Sequence, residues 1–302
     1  MPTTLVTGGA GFIGRWISKK LIDSNHKIVI FDNLSNGRLE NIEEFKNSSN
    51  MLEIVIGDVR NKSDLHNVFN KYKFDNCIHA AAQINVQESL DDPDLSFDVN
   101  IVGTKNILDF CLEQKIKIAV IGTCMVYDMC DSDSGISEKH PEKPASPYAA
   151  SKLASEHLAL SYFYGYDLPV TILRPFNTYG PFQKTNMEGG VVSVFVKNNM
   201  AKKDINVFGD GKQTRDLLYV EDCADFIVTA IEKTSSIGKV INAGSGREIN
   251  ITDLALLIST SKSRIKYVEH HHPQSEVQRL KCDSSLALET LNWKPEVSLE
   301  QG

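Results

Sequence analysis

Short apolar runs alternate along the chain with stretches whose apolar residues recur at three- and four-residue spacing. "TTLVTGG" reads as a strand, and after it Ile13, Trp16, Ile17 and Leu21 fall on one helical face. "KIVIFD" and "EIVIGD" are the next strands, and Leu65, Val68, Phe69 and Tyr72 mark a further helix face. "NCIHAAA" predicts a strand, 98–113 a helix, "KIAVIGT" a strand, Tyr148 to about Tyr164 a helix, and "PVTILRPF" another strand. The strand runs are β-branched and apolar on both faces, as in a parallel sheet covered by helices on both sides. Repeated βα units of this kind predict an α/β, doubly wound parallel sheet.

Beyond Pro175 the pattern loosens. "NTYGPFQKTNMEGG" is polar and turn-rich, as a loop over a binding site would be. "KVINAGSG" reads as a strand returning to the main sheet, while "RIKYVEH" and "DSSLALETLNW" suggest a smaller C-terminal α/β unit. The expected division is 1–175 plus 217–246 for the first domain and 176–216 plus 247–302 for the second.

Composition narrows the classes. The chain has 302 residues and a net charge of −7, a poor match to non-specific nucleic-acid binding. No run approaches the ~18 apolar residues of a membrane span, and "MPTTLVTGG" lacks the pattern of a secretory leader. The six cysteines, at 77, 111, 124, 130, 223 and 282, form no C-x-x-C pair. They fit free thiols in a reducing compartment, so a cytoplasmic location is expected. "EHHHP", Glu269 to Pro273, carries adjacent histidines that point in different directions, and no metal site is expected there.

Two motifs carry chemistry. In "TGGAGFIG", Gly8, Gly11 and Gly14 lie between a predicted strand and a predicted helix. Glycines there permit a tight turn and let a pyrophosphate reach N–H groups at the helix N-terminus, the Rossmann-type arrangement. Asp32 ends the second strand, 18 residues after Gly14, where an acid binds ribose hydroxyls and repels a 2′-phosphate. NAD is therefore expected over NADP. Asp58, in "GDV" after the third strand, is placed near the adenine, or is a solvated turn residue. In "SPYAASK", Tyr148 and Lys152 share a helix face. A nearby ammonium and a positive nicotinamide ring would favour the phenolate, a base for a substrate hydroxyl. Thr123, 25 residues earlier, is placed to hydrogen-bond the same hydroxyl.

These residues, with "FDNLSNG", "HAAAQINVQES", "NIVGTKNIL", "RPFNTYGP", "VFGDGKQTRDLLYVEDCA" and "LNWKPEVSLEQG", resemble the extended short-chain dehydrogenase/reductase family, which acts on nucleotide sugars. The resemblance implies a tightly held NAD, a C-terminal domain gripping a nucleoside diphosphate, and oxidation of the sugar at C4. A UDP-sugar is the expected substrate. A homodimer through the helices near 100–113 and 148–164 is also implied, with no nucleic-acid or membrane partner. It places Thr123, Tyr148 and Lys152 as the catalytic trio. Phe12, Ile13, Asn33, Val59, Ala80, Ala81, Gln83 and Pro175 join the glycines, Asp32, Asp58, Tyr148 and Lys152 around the cofactor. Asn177, Arg215, Arg279 and Val191, the last within the stretch 187–195, are placed on the substrate, the arginines facing its diphosphate.

The stretch "GTCMVYD" departs from the family. Its 4,6-dehydratases carry Asp and Glu after the Thr, and its decarboxylases keep the Glu; here Cys124 and Met125 stand there, and Asp128 replaces the usual Gly. Neutral pocket-lining residues at 124 and 125 suit a C4 epimerase, which needs neither acid. Two alternatives stand beside it. One is a dehydratase or decarboxylase with displaced acids, using Cys124 with Glu188 or Asp128. The other is a non-catalytic NAD-binding protein, against which the intact trio argues.

Overall fold

The protein is described from a computed structural model, which covers residues 1–130, 133–185, 190–259, 265–269 and 277–302. The N-terminal half runs β1 (Thr3–Thr7), α1 (Phe12–Asp23), β2 (Lys27–Asp32), β3 (Met51–Ile56), α2 (Lys62–Lys71), β4 (Asn76–His79), α3 (Val86–Asp91) and α4 (Pro93–Ser96). A π-helical turn, Phe97–Val102, leads into α5 (Gly103–Gln114), followed by β5 (Lys117–Ile121), α6 (Pro147–Tyr166) and β6 (Val170–Pro175). Then come β7 (Asn177–Tyr179), α7 (Val191–Met200), β8 (Ile205–Phe208), β9 (Thr214–Tyr219), α8 (Val220–Glu232) and β10 (Val240–Ala243). The chain closes with β11 (Glu248–Asn250), α9 (Ile251–Ile258), β12 (Ile265–Val268), β13 (Arg279–Leu280) and α10 (Ser285–Leu291).

Seven parallel strands form the main sheet in the order β10-β6-β5-β4-β1-β2-β3. The order reverses between β1 and β4, which opens a crevice at their carboxyl ends, where open α/β sheets bind ligands. Two cores cover the faces. One packs Trp16, Ile17, Phe226 and Ile227 of α1 and α8 on the sheet, and the other packs Leu65, Phe69, Ile107 and Ala159 of α2, α5 and α6. The apolar strands "KIVIF" and "VTIL" are buried because helices lie on both sides.

Smaller sheets lie after β6: β11-β9-β13 with β7 beside β9, and β12 with β8. β10 joins the main sheet beside β6, and two segments cross the expected division. Strand β9 extends to Tyr219 inside the small sheet, so the 217–246 segment begins in the second unit. Ala287, Leu291 and Trp293 pack into the core of the main sheet, so the 247–302 segment ends on the first. Apolar burial explains the second crossing: the Trp293 ring packs, tilted, 5.0 Å from that of Phe226 in α8. Among the described residues, no helix is long and apolar enough to cross a membrane and no His, Cys, Asp and Glu cluster could hold a metal. His270 to Pro273, Glu188 and residues 187–189 lie outside the described residues.

Candidate active site

The glycine-rich turn lies at the reversal of strand order. Gly8 has φ +70°, and a methyl group on it would lie 2.7 Å from the Ala81 nitrogen; one on Gly14 would lie 2.0 Å from the Gly8 carbonyl. The backbone is thus closed to side chains where a pyrophosphate must approach. Gly11 caps α1, and Phe12 and Ile13 form its first turn, packed on the main core.

Asp32 is buried at the end of β2. Its carboxylate accepts the N–H groups of Ala10 (2.9 Å) and Leu34 (2.8 Å). Burial pushes its pKa up while these two donors oppose the shift. Asp32 thereby ties the glycine turn to the start of the next loop. Asn33 donates to Asp58 at 2.9 Å, and Arg60 grips Asp58 with two side-chain bonds, holding its pKa down to about 2. Val59 is a core residue whose carbonyl accepts from Asn106. The cradle, the helix N-terminus and the buried acid fit NAD. Asp32→Ala should weaken NAD about 10- to 100-fold, the worth of hydrogen bonds to a charged group. It should also narrow the preference over NADP. Titration of the stripped protein with each dinucleotide checks this; equal affinity of the native protein for both would overturn the role given to Asp32.

Thr123 follows β5 and starts a 3-10 turn, Cys124–Val126, accepting the Met125 N–H at 3.2 Å. Its hydroxyl lies close enough to the Tyr148 phenol to lower that group's pKa, so strand end and α6 meet at one point. Ser146 caps α6 on Ala149 N–H at 3.2 Å, with Pro147 in the first turn, which fixes Tyr148 near the helix start. Burial pushes the Tyr148 phenol up to about 12, against the nearby Thr123 hydroxyl, and pulls the Lys152 ammonium down to about 8, against Glu156. In the protein alone, desolvation outweighs the neighbouring hydroxyl and holds the phenol above its ordinary value, so lowering it falls to the positive ring of the cofactor.

Cys124 is buried, and desolvation pushes its thiol up to about 12. Neither it nor the partly buried Met125 can serve as a base near neutrality. Asp128, the other acid weighed for the displaced role, is bound by Met129 N–H at 2.8 Å and paired with Lys143 at 3.3 Å.

On the substrate side, Pro175 ends β6 and Asn177 opens β7. The Asn177 Oδ1 is buried without a partner among the described residues, as an atom awaiting a ligand donor would be. Val191 starts α7. Arg215 donates to the carbonyls of Thr214 (2.7 Å) and Val277 (2.8 Å) and lies near enough to Cys124 to act on its charge. Arg279 is gripped by Glu248 (2.6 Å) and Asp133 (3.0 Å), so two carboxylates already face it.

Two buried networks escaped the sequence reading. His79 accepts from Thr7 (2.7 Å) and donates to Thr104 (3.0 Å), because the Thr104 hydroxyl is itself spent on the Asn100 carbonyl at 2.6 Å. Thr7 in turn accepts the Ala81 N–H at 3.2 Å, which fixes Ala80 and Ala81 against Gly8. Asn100 bonds Gln83 in both directions and donates to Ser151 of α6 at 2.8 Å, joining the cofactor side to the catalytic helix. The second network is Glu156, one turn beyond Lys152, bonded to Arg174 at 2.8 Å. Arg174 also reaches Glu142 at 2.6 Å. The helical spacing Tyr148, Lys152, Glu156 was the available signal.

A Rossmann sheet with an acid at β2 and a Thr–Tyr–Lys constellation at the crevice defines an NAD-dependent enzyme acting on a hydroxyl. The family model described as GDP-mannose 4,6 dehydratase matches residues 5–302. A UDP-glucose 4-epimerase of Mycolicibacterium smegmatis is 35% identical over 99% of this chain and 95% of its own length. The X-ray structure of Pal from Bacillus thuringiensis is 52% identical, with a TM-score of 0.97 over 99% of this chain and 96% of its own. A Thermus thermophilus UDP-glucose 4-epimerase solved with NAD is 28% identical, with a TM-score of 0.90, covering 99% of this chain and 96% of that one. The chain belongs to the extended short-chain dehydrogenase/reductase family of nucleotide-sugar epimerases and dehydratases. It is an NAD-dependent nucleotide-sugar enzyme.

Proposed function

We propose that the protein is a UDP-sugar 4-epimerase. The carrying observation is the pairing of a complete Thr123–Tyr148–Lys152 site with neutral residues, Cys124 and Met125, beside it. NAD supplies the hydride acceptor at C4 and the donor that restores it, and its positive ring favours the phenolate. Tyr148 takes the C4 hydroxyl proton and later returns it, Thr123 orients that hydroxyl, and Lys152 contributes positive charge. Asn177, with its unpartnered buried oxygen, and Val191 are assigned to the nucleotide sugar. Arg215 and Arg279 are assigned to the diphosphate, Arg279 while also paired with Glu248 and Asp133. The UDP preference rests on the M. smegmatis relative's name. Exposed Phe97 and Tyr164, on the layer that holds α5 and α6, support a homodimer through these helices.

A second reading keeps one observation in its favour: the Cys124 thiol lies close enough to Tyr148 to act on its charge. A protonated thiol there could serve as an acid toward C5 or C6. The test is incubation with UDP-glucose, UDP-galactose, UDP-GlcNAc and UDP-glucuronate in D₂O. Epimerisation gives a C4 epimer of unchanged mass without deuterium at C5. Each well-placed general acid or base is worth roughly 10²–10⁴ in rate, so elimination should be far slower than inversion. A product lighter by one water, lost in Cys124→Ala, would establish a thiol-dependent dehydratase instead.

A further inference from the structure

Arg15, in the first half of the cofactor helix α1, is a buried cation outside the chemistry described so far. Its guanidinium stacks on the rings of Phe182 (3.9 Å) and Trp16 (4.3 Å) and donates to the Asn41 carbonyl at 3.0 Å and to Glu44. Its Nη1 is buried with no partner among the described residues. Beside it, Trp16 Nε1 donates to the Pro181 carbonyl at 3.1 Å. Phe182 has φ +72°, an uncommon conformation for a bulky side chain, so the surrounding contacts must hold it there. The segment 180–185 is thus fastened to α1 at one end. At the other, Ser193 of α7 donates to the Lys184 carbonyl at 3.0 Å, and Lys197 donates to Thr185 Oγ1 at 2.9 Å.

We infer that residues 180–185 form a strap coupling cofactor retention to nucleotide-sugar binding, with Arg15 and Phe182 as its positioning residues. The inference rests on the assignment of α7 to the nucleotide. One end grips the helix whose N-terminus faces the pyrophosphate, and the other is bonded to the helix assigned to the substrate. The strap also brings Lys184 within electrostatic reach of Arg38 on the loop after β2, with Glu88 opposing. Arg38 N–H is itself bonded to the Ala10 carbonyl in the glycine turn, at 3.1 Å. Two like charges from opposite sides of that turn are relieved by a bound anion, so the strap is most favourably placed when the dinucleotide is present.

The test cuts the strap at either end in the full chain. Phe182→Ala should raise the rate of NAD loss at least ~10-fold, read from dinucleotide fluorescence after dilution. It should also weaken UDP, used as the probe in calorimetry, at least ~5-fold. KM for the sugar nucleotide should rise while kcat at saturating NAD changes less than about 2-fold. Ser193→Ala leaves the α1 contacts intact and removes the hydroxyl that the Lys184 and Gly190 carbonyls share, yet should also speed NAD loss. Should Phe182→Ala fail to fold, Ser193→Ala decides alone. Wild-type NAD retention and UDP affinity in the folded variants, with only a lower Tm, would reduce the segment to a structural pin and overturn the proposal. If the wild type itself fails to bind UDP, the UDP reading of the substrate falls, while the NAD-loss rates still decide the strap.

Discussion

Tyr148→Phe should cut turnover at least ~100-fold while leaving NAD binding and Tm unchanged. The substitution removes one oxygen and keeps the ring, so packing on α6 survives. What is lost is the group proposed to shuttle the C4 hydroxyl proton, beside the Thr123 hydroxyl. The charge of Lys152 gives the same site a pH signature. Its pKa in the fold is pulled down to about 8, so the ammonium is present at lower pH and disappears as pH rises through that value. Turnover that depends on it should fall on the alkaline side. Steady-state rates from pH 6 to 10 on wild type and Tyr148→Phe check both statements. Near-wild-type turnover in the variant would remove Tyr148 from the mechanism, and a flat alkaline limb would remove the Lys152 charge.

Glu156→Ala is the substitution expected to cost most in stability. Glu156 is buried, and one oxygen is bonded to the equally buried Arg174. The other oxygen has no partner among the described residues and fills the space beside Gly122, where a methyl group would lie 2.1 Å from it. Taking away one member of a buried ion pair leaves the other charge uncompensated and typically costs ~3–5 kcal/mol. Glu142, the remaining partner of Arg174, is partly exposed and offsets only part of this. Thermal unfolding should show a Tm lower by roughly 6–20 °C, at about 2–4 °C per kcal/mol for a chain of this size. The anion that raises the Lys152 pKa also disappears, so the alkaline limb should move to lower pH. A Tm within a degree or two of wild type would show that the pair is neutral to folding.

The strands and the glycine turn were legible because their signals are local, and the proposed site residues rest on signals of the same kind. Apolar runs such as "KIVIF" name buried strands wherever they sit in the sheet, and Tyr148 and Lys152 share a face by helical spacing alone. The π-helical turn was hidden inside the predicted helix 98–113, since its periodicity differs too little from an α-helix over six residues. The return of the C-terminal segment to the main core was hidden because Trp293 packs with residues that lie far away in the chain.

The sequence by itself determined the cofactor and the sheet architecture, because each follows from residue type at fixed short spacing. Tertiary structure decided the rest. The direction of the Tyr148 and Lys152 pKa shifts in the protein alone depends on how much protein surrounds them, which no local pattern shows. It likewise decided that Arg279 faces Glu248 and Asp133, that Glu156 meets Arg174, and that Arg15 stacks on Phe182. These partners lie between 18 and 167 positions apart, and no local pattern brings together residues that only packing makes neighbours.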